Sequence, residues 1–138
     1  MKNYLFFLLF AGSFLFSCKK SSVVRLDETI MDTTARVKFE GVFMNERWGK
    51  VSGQAKIYLK SGKYILALEN FLTNNGPDLK VYLSKDKTPA DFIKLDNLKS
   101  TNGNQLYEIP GVPDFIQYKY ALIHCERYNH LFGSALLK

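Results

Sequence analysis

The stretch Val51-Ser52-Gly53-Gln54-Ala55-Lys56-Ile57-Tyr58-Leu59 alternates small or apolar residues with mostly polar ones. Side chains of an extended strand point to opposite faces in turn. Val51, Gly53, Ala55, Ile57 and Leu59 therefore share one side, and Ser52, Gln54, Lys56 and Tyr58 the other. That is the pattern of a strand with one face in a core and one toward water. Ser61-Gly62 follows as a turn signal and residues 64–71 resume an apolar run, so the two segments form a hairpin, with residues 39–43 pairing ahead of them.

Working toward the C-terminus, Asn74-Asn75-Gly76-Pro77-Asp78 is dense in residues that accept or impose turn dihedrals. Leu79, Val81 and Leu83 then alternate with Lys80, Tyr82 and Ser84, which makes another half-buried strand. Residues 85–90 read as a polar loop, and residues 91–98 as a short helical turn or an irregular crossing. Residues 105–109 form a short strand stopped by Pro110-Gly111 and Pro113-Asp114. Residues 118–125 and 131–137 make a terminal hairpin around Glu126-Arg127-Tyr128-Asn129-His130. Many short strands between turn signals predict an all-β fold, an antiparallel and jelly-roll-like β-sandwich, as a single domain over residues 37–138.

Toward the N-terminus the character changes. Lys2 precedes a nearly unbroken apolar run over residues 4–16, and the small Ser17 stands immediately before Cys18. This is the layout of a secretory signal over residues 1–17, and it is shorter than the roughly 20 apolar residues that span a bilayer as a helix. Leu15-Phe16-Ser17-Cys18 resembles the lipobox of bacterial lipoproteins, with Phe16 bulkier than the small residue usual at its position. The resemblance implies that the Cys18 thiol receives a diacylglyceryl group and becomes the new N-terminus. Acyl chains such as palmitate would then anchor the protein outside the cytoplasm, in the bacterial cell envelope, since each buried CH₂ contributes about 0.8 kcal/mol. Lys19 and Lys20 fit beside anionic headgroups. Residues 18–36, polar and without sustained period, read as the lipidated Cys and a tether that lifts the domain off the membrane.

Of 19 basic and 13 acidic residues, loss of Lys2 with the signal leaves 18 − 13 = +5. The lysines are scattered singly and read as solvated strand faces, and with export this excludes a nucleic-acid partner. The remaining 138 − 17 = 121 residues are enough for a sizeable core.

With Cys18 lipidated, Cys125 has no partner within the chain. It is either a buried small hydrophobe or a redox thiol that reacts with another molecule. Strand alternation puts Ala121, Ile123 and Cys125 on one face and Tyr120, Leu122 and His124 on the other, so His124 is no base for the thiol. Arg127 has the parity to act on Cys125 if the strand runs that far. His124, Cys125 and His130 would form a soft copper or zinc site only if the hairpin loop folds back. No Cys-x-x-Cys, haem-attachment, His-Glu-x-x-His or phosphate-loop pattern occurs, so no cofactor and no conventional active site is expected. Glu69, Asp78, Asp91 and Asp96 lie in separate segments and suggest no acid/base pair. Tyr58 and Tyr82, flanked by Lys56, Lys60 and Lys80, form an exposed aromatic binding surface or else cover a sheet face.

The domain resembles the DM-thirteen family, found beside DOMON domains in Skeletor-type proteins and alone in bacterial lipoproteins. The specific segments are Gly76-Pro77-Asp78-Leu79 with Val81-Tyr82-Leu83, and Cys125 followed by Phe132-Gly133-Ser134-Ala135. Gly41-Val42-Phe43, Leu68-Glu69-Asn70-Phe71 and Tyr107-Glu108-Ile109-Pro110 add to them. The resemblance implies a β-sandwich in which Cys125 is a redox centre exchanging electrons with a partner, and His124 stands where the family commonly has Trp. Two functions follow as expectations. One is a thiol-dependent redox or electron-transfer accessory. The other is a non-catalytic binding or adaptor domain that contacts an envelope protein through residues 74–78 or the tyrosines.

Overall fold

The computed structural model describes residues 23–138; the expected signal sequence and the expected lipidation site at Cys18 lie outside them. The described residues contain nine strands and no helix: β1 (Leu26–Asp27), β2 (Arg36–Asn45), β3 (Val51–Lys60), β4 (Lys63–Thr73), β5 (Leu79–Ser84), β6 (Phe92–Asn97), β7 (Gly103–Ile109), β8 (Tyr120–Cys125) and β9 (His130–Leu136). They form one sheet in the order β1-β7-β4-β3-β2-β9-β8-β5-β6. Its neighbours are antiparallel except for the β1–β7 pair.

β2 makes the sheet curl. Residues 36–42 pair with β3, whereas Phe43, Met44 and Asn45 pair with β9. One strand thus belongs to two walls, and the sheet closes into a half-barrel around a single core. The β3–β4–β7 wall contributes Ala55, Ile57, Leu66, Leu68 and Phe71, and the β5–β8–β9 wall contributes Val81, Leu83, Ile123, Cys125 and Ala135. Phe43, at the switch point, meets Phe71 edge-on at 5.5 Å between ring centroids. The all-β, sandwich-like, single-domain architecture expected from the alternation is the one observed.

Two segments differ from the sequence reading. Residues 91–98 are neither a helical turn nor an irregular crossing but contain β6, an edge strand antiparallel to β5. Ile93 and Leu95 pack on the core in proper alternation. Phe92 hides that alternation because it is apolar on the outer face, where its ring stacks on Tyr82 at 4.3 Å. The second difference is in the stretch read as a tether. Leu26 and Asp27 pair with Gly103 and Asn104, and the Leu106 amide donates to Glu28 Oε2 at 2.8 Å. Thr29 and Ile30 then share a groove with Tyr58, Ala67 and Leu106. The chain is therefore laid against the domain from about Val24, whose carbonyl accepts a 2.8 Å hydrogen bond from Ser100 Oγ.

Candidate functional site

Cys125 is the last residue of β8, and the alternation holds: Ala121, Ile123 and Cys125 all belong to the core, with Cys125 0 % exposed. Its thiol is free. It pairs with Leu79 on β5 and His130 on β9. The strand stops there, so Arg127 does not continue its parity. Arg127 lies instead in the exposed turn between β8 and β9, where its charge helps to lower the pKa of Asp78, after the larger effect of Lys80.

That turn is pinned to the loop before β5, because the Glu126 amide donates to the Asp78 carbonyl at 3.0 Å. Gly76 in the same loop sits so close to its neighbours that a Cβ would lie 2.8 Å from Leu79 Cδ2 and 2.9 Å from Phe132 Cζ. Three segments distant in sequence, those of Gly76 to Leu79, of Cys125 and of Phe132, therefore meet at one end of the half-barrel. Cys125 lies one residue below the surface turn at that end.

The outer face of the β5–β8–β9 wall is also covered. Tyr82, 2 % exposed, does not form the exposed aromatic surface considered above. Its ring lies between Phe92 and His124, and its hydroxyl donates to Glu126 Oε1 at 2.6 Å. Burial and then that hydrogen bond push the Tyr82 hydroxyl far above the usual phenol range. Glu126 also pairs with Lys94 at 2.9 Å. Tyr58 is half-buried and donates to Glu69 at 2.7 Å; burial and this bond raise its pKa to about 12. Glu69, Asp78 and Asp91 are each ion-paired with a lysine, Lys56, Lys80 and Lys85 respectively, as surface and turn carboxylates.

His124 is buried, with Nε2 3.1 Å from Asn129 Oδ1 and Nδ1 without a partner. Burial, partly offset by the Asn129 contact, lowers its pKa from the usual 6.5. As pH falls through 6.5, the unfolded chain binds a proton there that the folded chain refuses until lower pH. Stability is thus expected to fall from pH 6.5 downward and to level off below the folded-state value. Glu46 and Glu126, held below 4.5, add their own losses only at more acid pH. Denaturation midpoints measured through this range check the sign, and His124→Gln is expected to flatten the slope.

His124 and Cys125 lie on opposite faces, so they and His130 do not converge on a metal. Among the described residues no group of three His, Cys, Asp or Glu side chains does so. His130 instead stacks on Trp48, ring centroids 3.9 Å apart and planes within 4°. Arg47 lies 4.9 Å over the same indole, and Tyr128 approaches His130 at 5.8 Å. Trp48 and Tyr128 are 46 % and 59 % exposed. The sequence reading missed this stack and the Tyr82–Glu126–Lys94 network. The signal for the stack was a lone Trp between polar turn residues. For the network it was a Tyr within the most specific strand motif.

A family model described as "Electron transfer DM13" matches residues 43–137, from the switch point of β2 to one residue past the end of β9. Searches of the curated proteins and of the solved structures found no match.

Proposed function

This chain belongs to the Electron transfer DM13 family, and from that premise we propose that it passes electrons through the thiol of Cys125 while lipid on Cys18 holds it outside the cytoplasm. What carries the reading is the convergence of Gly76, Leu79 and Phe132 around the end of β8 where Cys125 lies. The two most specific motifs of the chain meet at the one free thiol among the described residues.

Cys125 is the only described cysteine, so its chemistry needs a second molecule. The Sγ attacks one sulfur of a partner disulfide. A Cys125–partner S–S bond forms, the partner's S–S bond breaks, and the thiol proton leaves with the departing partner sulfur. A second thiol then attacks the partner's sulfur in the mixed disulfide. A new S–S bond forms there, and Cys125 returns as the thiol.

Quenching cells with acid and alkylating the thiols is expected to trap a disulfide-linked adduct with the wild type and none with Cys125→Ala. The variant should remain folded and in the membrane fraction. Loss of the acyl mass and of membrane fractionation in Cys18→Ser tests the anchor separately. A second reading, a binding or adaptor domain, is favoured by the complete burial of Cys125. Absence of any adduct, with Cys125→Ala retaining the cellular phenotype, would falsify the thiol mechanism in favour of that one.

A further inference from the structure

We infer that the end of the half-barrel carrying Cys125 faces the bilayer, against anionic headgroups, so that the redox partner works in or on the same membrane. The inference rests on the lipid anchor at Cys18, and its consequence for the partner on the Cys125 reading.

The point where the chain enters the fold sets the geometry. β1 runs parallel to the start of β7, Leu26 beside Gly103 and Asp27 beside Asn104. Upstream of Leu26 the chain therefore continues past the beginning of β7, to where Val24 is held by Ser100. Cys18 lies 23 − 18 = 5 residues before Val23. At no more than about 3.6 Å per residue, the lipid-bearing residue is within roughly 18 Å of Val23. A free tether over residues 18–36 would let any face of the domain turn to the membrane; a five-residue one does not.

The entry end is also the Cys125 end. The Thr73 amide donates to the Thr101 carbonyl, Leu98 to Leu79, and Glu126 to Asp78. These bonds tie the loop beside Val24 to the loop before β5, and that loop to the turn after Cys125. The Lys50 amide donates to Asn74 Oδ1, which brings the turn bearing Trp48 to the same end. The opposite end begins where β7 finishes at Ile109, six residues and about 20 Å from Gly103. It continues into the loop with Ile116, 82 % exposed.

Both ends expose apolar groups, and two observations choose between them. The tether reaches only the first. The exposed Trp48 and Tyr128 also lie at that end, beside Arg47, Lys50 and Arg127, cations that form no ion pair among the described residues. Indole and phenol rings settle at the membrane–water interface, and lysine and arginine are drawn to anionic headgroups. A partner that reaches Cys125 from this side approaches along the membrane plane.

Trp48 is the only tryptophan, so the unmodified protein reports on its own orientation. The full-length lipidated protein is inserted into phosphatidylethanolamine–phosphatidylglycerol vesicles, with and without nitroxide-labelled headgroups. Trp48 emission is expected to be quenched severalfold more strongly than the indole of the double variant Trp48→Phe/Ile116→Trp. Equal quenching at the two positions, stronger quenching at 116, or an unquenched wild type overturns the orientation. Absence of the acyl mass overturns the anchor on which the orientation rests, and a Cys18→Ser protein quenched like the wild type overturns the tether's part in setting it. None of these readouts involves the thiol, so the Cys125 mechanism stands or falls on its own adduct test.

Discussion

Gly53→Val is expected to destabilise the domain by roughly 2–6 kcal/mol, the sum of about 1–3 for a side chain in left-handed backbone and about 1–3 for overpacking. Gly53 has φ +109°, and a Cβ built on it would lie 2.7 Å from the Glu69 carbonyl oxygen, 2.8 Å from that of Asn70 and 2.9 Å from Phe71 Cα. All three obstacles are backbone of the facing strand, which cannot swing aside as a side-chain tip can. The β3–β4 register shifts between Ser52 and Gln54, and Asn70 across from it also has positive φ, 49°. Both strands are therefore distorted at one bulge, and the glycine lets them approach there. Chemical denaturation with an unchanged m-value is the check. Ser52→Thr, one position away on the exposed face, is expected within about 0.5 kcal/mol of wild type. A Gly53→Val protein as stable as Ser52→Thr would mean the bulge is not as tight as described.

Gly53 also shows what alternation can and cannot reveal. Val51, Ala55 and Ile57 face the core as their spacing requires. Gly53 fitted the same series only because a residue without a side chain contradicts no face. Alternation placed Cys125 inward and His124 outward correctly, since parity on one strand is a local property. It was silent on whether the outer face would itself be covered. Tyr82 and His124 are buried there because Phe92, from a strand the pattern did not disclose, lies against Tyr82. The strand switch in β2 was equally hidden, since residues 39–43 read as one extended run whichever neighbour they pair with. The site is legible in part for the same reason. The motifs around Gly76, Cys125 and Phe132 stand out in sequence, but their meeting at one end depends on cross-strand register, which no local pattern contains.

The thiol of Cys125 is expected to react with iodoacetamide in the native protein more slowly than in the unfolded chain, but far faster than global unfolding allows. If only complete unfolding exposed it, a domain stable by about 5–15 kcal/mol would slow the reaction by more than roughly a thousandfold. Redox exchange with a partner needs a cheaper route. The turn after Cys125 supplies one. It is exposed and anchored by polar contacts, the Glu126–Asp78 backbone bond, the Tyr82 and Lys94 contacts of the Glu126 carboxylate and the Asn129–His124 contact at 3.1 Å, and Asn129 already has φ +52°. Opening it uncovers little apolar surface, so the labelling rate should be nearly flat at low denaturant, the mark of local rather than global opening. Asn129→Gly removes the side-chain contact with His124 while suiting the left-handed backbone. It is expected to speed labelling severalfold with a smaller change in the global midpoint. If labelling instead tracks global unfolding at every denaturant concentration, Cys125 is a buried hydrophobe that no partner sulfur reaches. The binding or adaptor reading would then take the place of the thiol mechanism.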